Sequence, residues 1–306
     1  MEAGEHGPAL GPVVVRRRLG AALKRLRTAK GLHLDVVAKS MEMSPAKLSR
    51  LETGHVAPKL RDVRDLLEEY DAPEATRGEL LQWAEDAKGQ GWWQPFTARV
   101  VADLDLYISL EAEASALKVY CTCVHGLLQT EQYARMLLEG VAPQRSVAQR
   151  EELVEIRLRR QRVLDEDRGA APPLVLHVVM DEAALYRGPA PNHPIMGDIM
   201  ATQIGALMEA MERPNVTLQV LPFEACYDEA CSTFAIFEPR VPNDWTVVNV
   251  ESTLHDAYYD TSAEVSAFRA IWEDLVARAD SPEATLSRLR EASERSHAAV
   301  RRRGGR

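Results

Sequence analysis

LGAALKRLRTAKGLHLDVVAKSMEMSPAKLSRLETGHVAPKL, residues 19–60, decides how the front of this 306-residue chain folds. Leu19, Leu23 and Leu26, with Ala22 and Ala29 beside them, form an apolar stripe at helical spacing and predict a helix from about Arg16 to Lys30. Gly31 is placed to stop it. A short second helix follows over Leu34 to Ser40, with Val37 and Ala38 turned inward, and Met41-Glu42-Met43 reads as a tight turn. Ser44-Pro45 is a helix start: a side-chain oxygen to cap free N–H groups, then a proline whose missing N–H costs nothing there. The third helix, Pro45 to about Glu52, presents Leu48 and Leu51 to a core, and Gly54 ends it. Leu60, Val63, Leu66, Leu67 and Tyr70 mark a fourth helix; a fifth runs near Ala75 to Lys88 with Leu80, Leu81 and Trp83.

The middle pair has the spacing of a helix-turn-helix, with small Ala38 permitting close approach of the two helices. Ser44, Ala46, Lys47, Ser49 and Arg50 remain on the outside of the third helix, short donors and long cations that suit base edges and phosphates of duplex DNA. Arg16, Arg17 and Arg18 are candidates for an arm onto phosphates. Charge supports this division. The window 12–60 carries +8, whereas 61–306 carries −15, within a chain whose total is −9. A basic head on an acidic body is the footprint of a polyanion partner at one end.

These residues carry a resemblance. From about Arg16 to Tyr70 the chain resembles an Xre-type (Cro/repressor-like) helix-turn-helix domain, the inward positions, AKLSRLETG (46–54) and Pro58 all falling in register. The resemblance departs at Glu42, where the turn usually has glycine; a side chain in left-handed backbone costs on the order of 1 kcal/mol. It implies a transcription regulator that binds double-stranded DNA, and in similar domains the positions of Arg27 and Glu52 often form an ion pair, which implies a structural link between helix one and helix three. A single module of this size has a small DNA footprint, so a homodimer on an inverted-repeat operator is expected.

Residues 89–100, with Gly89, Gly91, Trp92, Trp93 and Pro95, read as a junction between a head over 12–88 and a body over 101–299. The body predicts a helix over 104–117, then strands at 119–124, 174–180, 216–223, 232–238 and 245–251, interleaved with helices. The fold class is therefore an all-α helix-turn-helix bundle of about five helices followed by a mixed α/β (α+β) regulatory domain of about five strands. LVLHVVM at 174–180 reads as a strand covered on both faces. The arginine-rich end, 300–306, reads as a disordered tail. VHGLLQTEQYARMLL (124–138), RLRRQRVL (157–164), VVMDEAAL (178–185), NVTLQVLPF (215–223) and NVESTLHDAYY (249–259) resemble, in this order, the C-terminal domain of WhiJ-type bacterial developmental and antibiotic-cluster regulators. His125 stands where the usual variant has proline before GLLQT. That resemblance implies a body that responds to a ligand or a small partner protein.

Gln129, Tyr133, Arg157, Arg160, Gln161, Glu182 and Glu251, together with Asp181 and Gln203, are polar residues beside apolar elements. Arg157, Arg160 and Gln161 share adjoining helix faces and, opposite the acids, make either a pocket for an anionic ligand or an internal salt-bridge network. Cys121-x-Cys123 lacks the usual C-x2–4-C zinc-knuckle spacing, and it and Cys226-x4-Cys231 read as free thiols, with no metal or cofactor expected. GxSxG, HExxH, GxxxxGK[ST] and GxGxxG are all absent, so no enzyme activity is expected. The alternative is an NAD-using ADP-ribosyltransferase-like body, resting on His125-Gly126 after one strand and Glu251 ending another. Without an apolar signal core or a membrane span, the expected location is the cytoplasm, at the nucleoid.

Overall fold

The computed structural model describes residues 12–54, 56–88, 102–166, 172–189, 193, 195–225, 232–239, 245–252 and 256–304. The chain divides into two compact units, Met1–Glu113 and Ala114–Arg306.

The first unit is helical: α1 Pro12–Ala29, α2 Leu34–Ser40, α3 Pro45–Glu52, α4 Leu60–Glu69, α5 Glu74–Asp86 and α6 Ala102–Glu113. Leu19, Leu23, Val37, Ala38, Leu48, Leu51, Val63, Leu66, Leu67 and Leu80 form one buried cluster, the stripe read from the sequence. The approach of α1 to α3 requires Gly20. A Cβ there would stand 2.6 Å from the Leu51 carbonyl oxygen and 2.5 Å from that of Glu52. Gly54, at φ +72°, both ends α3 and leaves room for the Arg17 backbone. Glu42 holds the left-handed conformation, at φ +50°, so the strained position expected in the turn is present. α6 packs on α1 and groups with the first compact unit, which ends at Glu113; the sequence reading starts the body at 101.

The second unit is built on a six-stranded mixed sheet: β1 Ala114–Cys121, β2 Val175–Asp181, β3 Val216–Leu221, β4 Phe234–Pro239, β5 Val247–Val250 and β6 Ala257–Tyr259, in the order β3-β2-β1-β4-β5-β6. β1, β2 and β3 run parallel, and β4, β5 and β6 join antiparallel. Helices α7 Glu131–Val141 and α8 Val147–Arg160 lie on the first parallel crossover and α9 Met196–Ala210 on the second. α10 Ser262–Arg278 places Val265, Trp272 and Leu275 against Tyr120, Val179, Phe234, Ile236 and Val248 on one sheet face. α11 Pro282–Gly304 packs along α9. The outer edge of β3 is closed by the α10–α11 corner. Asp280 N–H donates to the Val220 carbonyl at 2.9 Å, and Val220 N–H donates to Thr285 Oγ1 at 3.0 Å.

Three sequence expectations change here. The helix expected over 104–117 ends at Glu113, and β1 takes 114–121 rather than 119–124, because helical periodicity does not separate a short apolar strand from the end of a preceding helix. The sixth strand, β6, is three residues long and too short to leave an alternation pattern. The tail expected to be disordered from 300 is helical through Gly304, since arginine continues a helix well. The 89–100 junction, Cys226 and Cys231 lie outside the described residues.

Candidate nucleic-acid interface and a polar site in the body

Ser44 caps α3, its Oγ accepting the Lys47 N–H at 3.2 Å, with Pro45 in the first turn. That cap fixes which residues face outward: Ser44, Ala46, Ser49 and Arg50 are exposed, while Leu48 and Leu51 are buried. Arg50 lies along its own helix, Nε donating to the Ala46 carbonyl at 3.3 Å. Lys47 is placed differently. Its Nζ pairs with Asp62 Oδ2 at 2.6 Å, on the first turn of α4, and the residue is half-buried. Nothing in the sequence pointed to Asp62, an acid fifteen residues away whose approach depends on the packing of α4.

Arg27 and Glu52 pair as the resemblance implies. Nε and Nη2 of Arg27 donate to the two Glu52 oxygens at 2.6 and 2.8 Å, and Nη1 donates to the Leu32 carbonyl at 2.8 Å; both residues are buried. The hydrogen bond with Glu52 raises the Arg27 pKa, so the guanidinium stays charged. Arg16, Arg17 and Arg18 do not form an extended arm. They belong to α1, where the apolar stripe recruits them into the helix. Arg16 Nε returns to the Pro12 carbonyl and its head lies 4.0 Å from Asp105; burial lowers its pKa. The Arg18 guanidinium stacks 4.7 Å from the centre of the Trp83 ring.

In the body, the loop after β1 collects most of the predicted polar residues. Gln129 Nε2 donates to the Val124 carbonyl at 2.6 Å, and its Oε1 accepts Arg157 Nη1 at 2.8 Å. Gln161 Nε2 donates to the Gln129 and Gly126 carbonyls at 2.7 and 3.2 Å. Gln203, fully buried, accepts Thr130 N–H and donates to the Leu128 carbonyl. Three glutamine amides from three elements thus fix one loop. Tyr133 and Arg160 are buried beside it, and burial lifts the Tyr133 phenol above its ordinary range. His125 Nδ1 accepts the Leu127 N–H at 3.4 Å; burial, aided by Arg160 and Arg157, pushes its pKa down to about 3, so the ring is neutral.

Glu251 keeps contact with solvent, yet desolvation by the surrounding protein, reinforced by Asp256, raises its pKa against the opposing pull of Arg157 and Arg160. Burial raises the Cys123 thiol as well, with Glu251 adding to it. Glu182 does not join this group. It is buried on the other side of β2, accepting Arg288 at 2.9 Å, Tyr186 Oη at 3.2 Å and Phe223 N–H at 2.9 Å. The chain turns at the end of β2, and that turn directs Glu182 to α11 instead of α8.

Residues 18–80 match a family described as Helix-turn-helix domain, and residues 104–291 match one described as Domain of unknown function (DUF5753). The chain belongs to the DUF5753 family. No curated protein and no solved structure matches it. The head of this DUF5753 protein is a helix-turn-helix domain, which supports a DNA-binding regulator. No helix among the described residues is long and apolar enough to cross a membrane. Cys121 and Cys123 are free thiols, and no group of three or more His, Cys, Asp or Glu among the described residues is arranged to hold a metal. A shallow cavity of about 440 Å³ lies beside the glutamine network, lined by Leu127, Leu158, Gln161, Arg162, Ala206 and Glu209 among others.

Proposed function

We propose that this DUF5753 protein is an Xre-type, sequence-specific transcription regulator that binds an inverted-repeat operator as a homodimer. α3 enters the major groove, and the body adjusts DNA binding in response to a small partner protein or ligand. The observation that carries the reading is the outward face of α3, with Ser44, Ala46, Ser49 and Arg50 exposed in the basic part of the chain. Arg50 is the longest donor on that face and the natural reader of guanine or phosphate. Lys47 contributes only after Asp62 gives it up, and Arg16, Arg17 and Arg18 serve chiefly to hold α1. The resemblance to WhiJ-type regulators favours a role in development or antibiotic production, and a DNA-binding head favours the cytoplasm, at the nucleoid, as its location.

The reading assigns no catalysed reaction. His125 supports this, because its ring caps a backbone N–H and is buried, a structural post instead of a grip on a nucleotide. The test is fluorescence anisotropy with genomic fragments selected by the protein. Arg50→Ala loses about 1–3 kcal/mol of operator affinity if the contact is base-directed. Wild-type affinity in this variant, or saturation with one protomer per operator, refutes the groove assignment or the dimer respectively.

A further inference from the structure

Asn249 is fully buried on β5, and among the described residues neither its Oδ1 nor its Nδ2 has a hydrogen-bond partner. Both atoms leave water on folding and receive nothing in return, so an apolar residue of similar size would serve the fold better. A residue that breaks a local rule in this way belongs, as a class, with functional positions. Strand register shows where the amide is directed. Asn249 pairs with Ala235 of β4, which pairs with Val119 of β1. Glu251 N–H donates to the Thr233 carbonyl, which carries the register one step further and sets Glu251 in the row of Cys121. Alternation puts Asn249, Glu251, Val119 and Cys121 on one sheet face, with Asn249 and Glu251 about 7 Å apart along the strand.

The opposing charge comes from α8. Arg157 Nε and Arg160 Nη1 lie 3.8 and 3.9 Å from the point a Cβ on Gly126 would occupy, so two guanidiniums converge on the loop that leaves β1. This end of the sheet is also where β1, parallel to β2, meets antiparallel β4, and open α/β sheets bind ligands beyond the carboxyl ends of their strands where the strand order changes.

We propose that the sheet end bounded by Asn249, Glu251, Gly126, Arg157 and Arg160 is the effector site of the body, and that its ligand is a small organic anion. A carboxylate or phosphate meets the guanidiniums, and a polar edge bearing both a donor and an acceptor meets the Asn249 amide. The proposal deepens the reading of the body as the responsive half of a regulator. Cys123, half-buried in the same group, is a built-in reporter.

The test alkylates the full-length chain with iodoacetamide and maps Cys123 by peptide mass spectrometry. The probes are adenosine monophosphate, L-glutamine and inorganic phosphate. Saturable, several-fold slowing of Cys123 labelling by adenosine monophosphate assigns a phosphate-bearing ligand, and by L-glutamine a carboxylate-bearing one. The protection disappears in Asn249→Leu and in Arg157→Gln, while the amides of β4 and β5 exchange more slowly in Asn249→Leu than in wild type when no probe is present. Faster exchange of those amides in Asn249→Leu overturns the proposal, because the Asn249 amide then serves the fold. So does protection that survives both substitutions, slowing by inorganic phosphate alone to the same extent as by either larger probe, or no protection by any of the three. Operator affinity measured on the same samples separates the two readings: probe binding in a chain that binds no DNA sinks the regulator and leaves the site.

Discussion

Removing the carboxylate of Glu52 tests the energetics of the head most directly. In Glu52→Gln the Arg27 guanidinium keeps its place between α1 and α3, but loses a charged partner that accepts two short hydrogen bonds, at 2.6 and 2.8 Å. Only the neutral bond to the Leu32 carbonyl is left unchanged. Both side chains are nearly sealed from solvent, at 10% and 2% exposure, so water does not replace the lost partner. Breaking one side of such a pair costs about 3–5 kcal/mol, whereas replacing both sides by apolar residues is close to neutral. Arg27→Met/Glu52→Leu is therefore expected to recover most of the stability that Glu52→Gln loses.

Because the chain has two units, a global melting curve mixes two transitions. Hydrogen exchange with peptide mapping isolates α1 and α3. At about 1.4 kcal/mol per decade, Glu52→Gln speeds exchange of their core amides by roughly 10²- to 10⁴-fold, or to the limit set by unfolding of the head. Peptides from β1 and β2 are unchanged. Exchange in Glu52→Gln within tenfold of wild type, or a double variant as unstable as the single one, would refute the account of Arg27 as a buried charge held by its partner.

Three further outcomes follow from the same geometry. Glu42→Gly relieves left-handed backbone worth about 1–2 kcal/mol and adds up to ~1 kcal/mol of unfolded-chain freedom, so the head gains stability on balance; slower exchange in α2 and α3 is the check. Asp62→Asn frees Lys47, raising operator affinity and steepening its logarithmic salt dependence by about 0.9, as one extra cation reaches phosphate; an unchanged slope shows that Lys47 does not reach DNA.

His125 is neutral when folded, its pKa depressed to about 3 from 6.5, so the stability it supports is full above pH 6.5 and declines as pH falls toward 3. His125→Asn keeps an acceptor for the Leu127 N–H and removes the titration. The urea midpoint of the body then falls less between pH 6.5 and 4 than in wild type, and parallel curves would exclude His125 as the source.

The helices of the head were legible because each carries its own instructions: a leucine stripe, a Ser-Pro start, a glycine stop. The Arg27–Glu52 pair was legible only through the resemblance of the head to known helix-turn-helix domains, in which these positions often pair. Asp62 was not, because ion pairing across α3 and α4 depends on how two helices roll against each other. In the body, the strongly apolar β2 announced itself, whereas β6 has too few residues to show a period. Of the polar residues singled out there, Gln129, Tyr133, Arg157, Arg160 and Gln161 do converge near Glu251. Glu182 turns away because a short helical turn follows β2 at once, and sequence spacing cannot tell which neighbouring helix it will meet.

The sequence by itself therefore determined the local structure of the head, the uneven distribution of charge and the presence of a mixed α/β body, since periodicity, capping and net charge are properties of neighbouring residues. Tertiary structure alone decided that Lys47 is held by Asp62, that Arg18 stacks on Trp83, and that, among the described residues, the Asn249 amide is buried without a partner. Those are contacts between residues far apart in the chain, set by strand register and helix packing, and no local pattern encodes them.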